Sequence, residues 1–138
     1  MRYDVVILGG GPAGAATALM LRQHAPSLSV ALIERSAYEQ VRIGETLPPH
    51  VQPLLKQLGV WDAFMTEEHV ATYGTSAAWG SDTVHDNEFI YTPYGRGWHL
   101  DRRRFDAWLA REAEKRGTRL FTGSRIVEQH TSDYGAKA

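Results

Sequence analysis

The stretch Val5-Val6-Ile7-Leu8-Gly9-Gly10-Gly11-Pro12-Ala13-Gly14 joins an apolar run to three consecutive glycines and the start of a helix pattern. Gly9, Gly11 and Gly14 fill the pattern G-x-G-x-x-G, which is typical of a dinucleotide-binding turn. In such a turn the first glycine permits a tight bend and the second lets the backbone approach a pyrophosphate. The third glycine lets the helix pack closely on the strand. The stretch therefore predicts a strand, a phosphate-binding turn and a helix.

The residues that follow the glycines support this interpretation. The helix begins near Pro12 and Ala13, so its free N–H groups and positive dipole end would face the phosphates. A second strand pattern, residues 28–34, ends on Glu34, twenty residues after Gly14. A carboxylate there can accept hydrogen bonds from the adenosine ribose and would repel the extra phosphate of NADP, which favours FAD or NAD. The alternative is an ordinary βαβ unit with a glycine turn.

Composition limits the chemistry of this chain of 138 residues, the length of one domain. A net charge of −1 argues against a general affinity for nucleic acid. The absence of cysteine excludes disulfides, thiolate metal sites and iron–sulfur clusters, so any redox chemistry requires a bound cofactor. The six histidines have no metal-ligand spacing, and no metal site is expected. The uncharged stretch 5–21 contains glycines and a proline and is too short to cross a bilayer, which predicts a cytoplasmic protein without a membrane span.

The remaining patterns predict an α/β fold. Residues 73–98 mix turn-forming residues with apolar ones, which indicates a small antiparallel insertion. Core positions are expected for five aromatic residues, with the lining of a substrate or flavin pocket as the alternative for some of them: Trp79, Tyr91, Tyr94, Trp98 and Trp108. Strands are predicted at 3–8, 28–34, 118–122 and 125–129, and helices at 12–24, 51–58, 60–68 and 101–116. The strand at 118–122 is expected to join the parallel sheet.

Four segments together resemble a known family, the FAD-dependent oxidoreductases related to aromatic hydroxylases, geranylgeranyl reductases and flavin-dependent halogenases. They occur in the family's order: the glycine turn 9–14, Glu34-Arg35, Gly44-Glu45-Thr46-Leu47-Pro48, and Leu100-Asp101-Arg102-Arg103-Arg104-Phe105-Asp106. The resemblance implies a Rossmann-like, FAD-binding domain of the aromatic-hydroxylase and glutathione-reductase type. It implies FAD as cofactor, with NAD(P)H or a flavin reductase as electron donor to the complete enzyme.

The same resemblance implies roles for single residues. The arginine that matches Arg102 contacts FAD in this family, and Arg42 lies near the flavin or its ribityl chain. The loop that contains Gly44 and Thr46 resembles the family's flavin-side loop, and backbone near Ile126 meets the adenine. Apart from the resemblance, the position of Arg35 next to Glu34 predicts that it lies at the adenine side or pairs with groups in solvent. No catalytic residue is assigned.

Arg102 also lies at an electrostatically unfavourable position of its helix. Three arginines follow Asp101 in the first turn of a helix, where each exposed cation is unfavourable by about 0.3–1 kcal/mol. Such an arrangement indicates a nearby anion, and the FAD diphosphate would supply one. The alternative is that these side chains pair with Asp or Glu. Helical spacing cannot direct all three at one site, so Arg102 is favoured over Arg103 and Arg104.

The chain resembles only the N-terminal part of such enzymes, which are considerably longer. We expect an FAD-binding domain at 1–130, an unstructured tail at 131–138 and no substrate domain. The fold would then be incomplete, and apolar surface would be exposed where the rest of an enzyme packs. The chain could be a fragment, a truncated product or a subunit completed by a second chain.

The resulting hypothesis is the FAD-binding portion of a flavoprotein monooxygenase or related oxidoreductase that acts on an organic substrate, with the chain inactive alone. One alternative is a flavin-dependent halogenase. Halogenases carry a catalytic lysine in the region after the helix that follows the Gly-Glu loop, whereas this sequence has no lysine between Lys56 and Lys115. Further alternatives are a flavoprotein that modifies a partner protein and a non-catalytic nucleotide-binding module.

Overall fold

The computed structural model describes residues 1–80 and 82–128, so the predicted tail at 131–138 lies outside the described residues. The helices are α1 (Pro12–His24), α2 (Val51–Gln57), α3 (Trp61–Met65) and α4 (Arg102–Lys115), and a 3-10 turn spans Phe89–Tyr91. The strands are β1 (Val5–Leu8), β2 (Val30–Ile33), β3 (Thr46–Leu47), β4 (Val70–Thr72), β5 (Gly74–Ala77), β6 (His85–Glu88), β7 (Gly97–His99) and β8 (Arg119–Phe121).

A parallel sheet with the order β1-β2-β8 carries the glycine turn at one end. Ile7, Leu32 and Leu120 stand in register across it and face the helical core. The connection through α1 confirms the predicted βαβ unit, and β8 confirms that the strand after α4 joins the sheet. This order places the carboxyl ends of β1 and β2 side by side, which is where ligands bind in open α/β sheets.

Helices α1 and α4 pack together over one face of the sheet. Small residues on α1 permit the close approach, since Ala15 and Ala18 are fully buried. On α4 the inward side chains Phe105, Trp108 and Leu109 are buried, as the sequence predicts. Side chains from α2, α3 and β7 complete this core.

The opposite face of the parallel sheet carries exposed apolar side chains. Val6 is 47% and Leu8 58% exposed, and Ile33 and Phe121 lie half-buried beside them in register. Parallel sheets are ordinarily covered on both faces. The expected uncovered apolar surface is therefore present on this side of the described chain.

The predicted insertion is antiparallel, as expected, but its pairing extends beyond residues 73–98. Strand β5 pairs with β6 inside it, whereas β7 pairs with β3 and β4, which precede residue 73. The core prediction holds for Trp98 and Trp108. It is wrong for Trp79, Tyr91 and Tyr94, which are 90%, 85% and 39% exposed. Apolar character alone does not say whether a turn-rich segment folds over a core. The predicted strand at 125–129 is also not formed, since residues 125–128 have no regular structure.

Candidate functional site

The three glycines of the turn meet three different local requirements. Gly9 has a φ of +98°, a conformation that side chains rarely adopt, and its amide donates to the carbonyl oxygen of Ile33 at 2.8 Å. A Cβ on Gly14 would lie 1.9 Å from the carbonyl oxygen of Gly9, so this glycine permits the close packing of α1 on β1. A Cβ on Gly11 would meet nothing within 4 Å. Within residues 1–80 and 82–128, no contact therefore requires glycine at position 11.

The N-terminus of α1 presents free backbone donors at this turn. Gly11 occupies the N-cap position without a side-chain cap, Pro12 is at the first turn, and the first turn contains no acidic residue. The amide of Ala15 bonds the Gly11 carbonyl, while Ala13 and Gly14 precede the first intrahelical donors. An uncapped helix N-terminus of this kind favours a negatively charged group.

Glu34 lies directly beyond β2 and is 5% exposed. Its Oε2 accepts the amide of Gly10 at 2.8 Å, and its Oε1 accepts the amide and hydroxyl of Ser36 at 3.0 and 2.5 Å. Arg42 Nη2 also donates to Oε1 at 3.0 Å. Burial raises the pKa of the Glu34 carboxyl, but the bonds from Ser36 and Gly10 and the charge of Arg42 outweigh burial, so its pKa lies below the ordinary value.

A cavity of about 220 Å³ opens beside Glu34 at the carboxyl ends of the strands. It is lined by Leu8, Gly9, Ile33, Glu34, Arg35, Ser124, Arg125 and Ile126. The fold thus brings together four of the predicted cofactor-binding residues, at the position where a βαβ unit holds an adenosine.

Arg42 and Arg102 meet on the buried carboxylate of Asp106. Arg42 Nη1 donates to Asp106 Oδ2 at 2.8 Å, and Arg102 Nε donates to Asp106 Oδ1 at 3.0 Å. Arg102 Nη1 donates further to the carbonyl oxygens of Ile43 and Gly44 at 3.0 and 3.3 Å. These bonds fix the loop before β3 against the start of α4.

A second cavity, of about 500 Å³, is lined in part by this loop, through Gly44. Four of the predicted cofactor-binding residues line this cavity: Pro12, Ala13, Gly44 and Arg102. Most of the remaining lining consists of apolar side chains of α1, α2 and α4. Thr46 is not part of either cavity. It stands opposite His99 in the β3–β7 pair, where its hydroxyl lies 3.5 Å from His99 Nδ1.

The three arginines at the start of α4 each have a carboxylate partner in the protein. Arg102 pairs with Asp106, Arg103 with Asp101 at 2.9 Å, and Arg104 with Glu67 at 3.6 Å. The carboxylate of Asp101 also accepts the amides of Arg103 and Arg104 as the helix cap. Protein carboxylates therefore compensate the unfavourable interaction of the three arginines with the helix dipole. The arginine triplet does not by itself indicate a bound anion.

Four residues of the site were not predicted from the sequence: Gly10, Ser36, Tyr38 and Asp106. A Cβ on Gly10 would lie 2.3 Å from the Tyr38 hydroxyl, which donates to the Gly10 carbonyl at 2.8 Å. Burial, and the charge of Glu34 after it, raise the pKa of Tyr38 to about 12, so the phenol remains a donor. Asp106 did leave a signal, since an acidic residue beside Phe105 on the inner face of a helix requires buried partners.

Comparison with known proteins identifies the family of this site. Residues 4–96, from β1 through the antiparallel insertion, match the family model of tryptophan halogenase. The chain belongs to the tryptophan halogenase family. Its Rossmann-like fold is shared with solved FAD-dependent and flavin-dependent halogenases.

Proteins similar to this chain include one described as an oxidoreductase and others named as halogenases. LodB of Marinomonas mediterranea, described as an FAD-dependent oxidoreductase, is 32% identical over 95% of this chain and 36% of its own length. Tryptophan 2-halogenase of Chondromyces crocatus is 31% identical over 88% of this chain and 23% of its own length. Among solved structures, the flavin-dependent halogenase CmlS superposes with a TM-score of 0.78 at 29% identity, covering 93% of this chain and 24% of that one.

The chain thus spans about a quarter to a third of the length of these family members. Within residues 1–80 and 82–128, no three His, Cys, Asp or Glu side chains are arranged to hold a metal ion. None of the helices in the same residues is long and apolar enough to span a bilayer.

Proposed function

We propose that this chain is the FAD-binding portion, residues 1–130, of a flavoprotein oxidoreductase that acts on an organic substrate. The observation that carries the proposal is the cavity beside Glu34. Gly9, Glu34, Arg35 and Ile126 line it together, although they come from three separate parts of the chain. This arrangement matches the adenosine end of a dinucleotide site.

The turn residues fit the rest of such a cofactor. Gly11 leaves open space where a Cβ would stand, and the uncapped α1 N-terminus directs backbone donors toward that space. A diphosphate would bind there through the amides near Ala13 and Gly14. Glu34 would accept a ribose hydroxyl through Oε2, which takes one hydrogen bond within the described part of the chain.

The flavin would extend from the turn toward the loop of Arg42, Gly44 and Thr46. Gly44 and Arg102 line the second cavity, and Arg42 connects Asp106, the partner of Arg102, to Glu34 at the first cavity. Bound FAD would supply the redox chemistry, while the protein binds and orients it. In the complete enzyme, which we place in the cytoplasm, electrons would come from NAD(P)H or a separate flavin reductase.

Flavin-dependent halogenation is a second candidate activity for the complete protein. The similarity to tryptophan 2-halogenase and CmlS favours it. The absence of lysine between Lys56 and Lys115 argues against it, because halogenases carry their catalytic lysine in this region. The test supplies the complete protein with reduced flavin, molecular oxygen as the oxidant and chloride, together with a halogen-accepting dye. Chloride-dependent halogenation of the dye would favour a halogenase, and its absence alongside oxygen-dependent turnover of an organic substrate would favour the oxidoreductase.

The direct test of the cofactor proposal is a titration of the protein with FAD and with NADP. Preferential, saturable binding of FAD supports the proposal. Tighter binding of NADP would overturn it, since Glu34 would then not occupy the ribose position.

A further inference from the structure

Asp106 is a fully buried carboxylate whose side-chain partners are two arginines. Its Oδ2 accepts Arg42 Nη1 at 2.8 Å and Arg102 Nη2 at 3.2 Å, and its Oδ1 accepts Arg102 Nε at 3.0 Å. A buried carboxylate is costly unless charged donors satisfy it, and the fork of Arg102 provides a two-point match. The positions of both guanidinium groups are therefore tied to Asp106.

Each arginine connects Asp106 to a different part of the proposed site. Arg42 also donates to Glu34 Oε1 at 3.0 Å, beside the smaller cavity. Arg102 also donates to the carbonyl oxygen of Gly44 at 3.3 Å, at the wall of the larger cavity. One continuous hydrogen-bonded path thus joins the residues that line the two cavities.

Positive and negative groups alternate along this path. Glu34 and Asp106 balance Arg42 and Arg102, whose side chains are 25% and 20% exposed. If Asp106 lost its charge, Glu34 would be the one carboxylate left on this path to balance the two guanidinium groups. Arg42 keeps its bonds to Glu34 and to Ser36, whereas the partners left to Arg102 among the described residues are backbone carbonyl groups. The Gly44 side of the site therefore depends on Asp106 more strongly than the Glu34 side.

We infer that Asp106 is a positioning residue that holds Arg102 and Arg42 for the cofactor and so makes the two cavities one binding site. The inference rests on the proposed FAD function. Because Asp106 is buried beneath the arginines, it acts through them.

The test compares Asp106→Asn with Glu112→Gln. Glu112 is also a buried carboxylate on α4, and it pairs with Lys115 at 2.6 Å away from both cavities. FAD probes the whole site, whereas ADP reaches only the Glu34 end and the turn. Asp106→Asn should weaken FAD binding about tenfold or more and ADP binding less than about threefold. Glu112→Gln should change neither affinity, although both variants lower the thermal midpoint.

A second variant covers the case in which Asp106→Asn does not fold. Arg102→Lys keeps the positive charge but lacks the planar fork that bridges Asp106 and the Gly44 carbonyl. It should show the same selective loss of FAD affinity, and combining it with Asp106→Asn should add little further loss. Equal losses of FAD and ADP, or unchanged FAD affinity in both variants, would overturn the inference. A wild-type protein that binds neither ligand would instead overturn the proposed function itself.

Discussion

A Cβ atom on Gly14 would lie 1.9 Å from the carbonyl oxygen of Gly9, far inside contact distance. Gly14→Ala should therefore force α1 away from β1 and lower the free energy of unfolding by about 1–3 kcal/mol or more. Gly11→Ala is the matched control, because its Cβ would meet open space at a negative φ. It should change the unfolding free energy by less than about 1 kcal/mol.

The same two variants, Gly14→Ala and Gly11→Ala, distinguish an effect on protein stability from an effect on cofactor binding. Gly11→Ala should weaken FAD binding about tenfold or more while the protein stays folded, because its methyl group occupies the space of the diphosphate. Urea unfolding and flavin fluorescence titration measure the two effects. Equal stability of the two variants would contradict the packing role of Gly14, and unchanged FAD affinity in Gly11→Ala would contradict the phosphate position.

Gly10 and Tyr38 should behave as a coupled pair. A Cβ on Gly10 would lie 2.3 Å from the Tyr38 hydroxyl and 2.8 Å from Glu34 Cβ, so Gly10→Ala should be destabilising. Tyr38→Phe removes the hydroxyl and its bond to Gly10, at a cost of about 0.5–1.5 kcal/mol. In the double variant the losses should be less than additive. Strict additivity in chemical unfolding would show that the two groups do not touch.

Glu34 should make the protein sensitive to acid. Its folded-state pKa lies below the ordinary value of 4.5, so the unfolded chain binds the proton more readily than the folded one. The stability from Glu34 is therefore complete above pH 4.5 and is lost as pH falls below that value through the folded pKa. Glu34→Gln should flatten the decrease of unfolding free energy in this acid range. An identical pH profile in the variant would refute the assigned hydrogen bonds.

Arg102 and Arg104 should differ in their effect on the cofactor. Arg104 is more than half exposed and meets Glu67 at 3.6 Å, so Arg104→Ala should cost less than about 1 kcal/mol of stability and leave FAD affinity unchanged. Arg102→Ala removes the bonds to Asp106 and to the Gly44 carbonyl and should weaken FAD binding. Isothermal titration of both variants is the comparison, and equal affinities would mean that Arg102 plays no part in the site.

Local rules were sufficient for the βαβ unit. The apolar run, the glycines, Pro12 and the cap at Asp101 act within a few residues of themselves, so their pattern predicts β1, the turn, α1 and the start of α4. The edge at which β1 and β2 end together also follows, because parallel strands place their carboxyl ends side by side. The remaining wall of the cavity, residues 124–126, comes from a distant part of the chain, and no local pattern places it there.

Long-range pairing accounts for what the sequence did not predict. Arg42 and Asp106 are 64 positions apart, and no local pattern joins them. The two-residue strand β3 exists only because β7 pairs with it. Trp79 and Tyr91 have large aromatic side chains of the kind expected in a core, but they lie on an exposed part of the insertion. Burial of such side chains depends on neighbours that a local pattern does not specify.

The most direct measurement is the FAD affinity of wild type and Glu34→Ala, beside a titration with NADP. We predict saturable FAD binding, weaker NADP binding, and a loss of about 1.5–3 kcal/mol of FAD affinity in the variant, the scale of hydrogen bonds to a charged group. Equal FAD affinity in the two proteins, or tighter binding of NADP than of FAD by wild type, would contradict the assignment of Glu34 to the ribose of FAD.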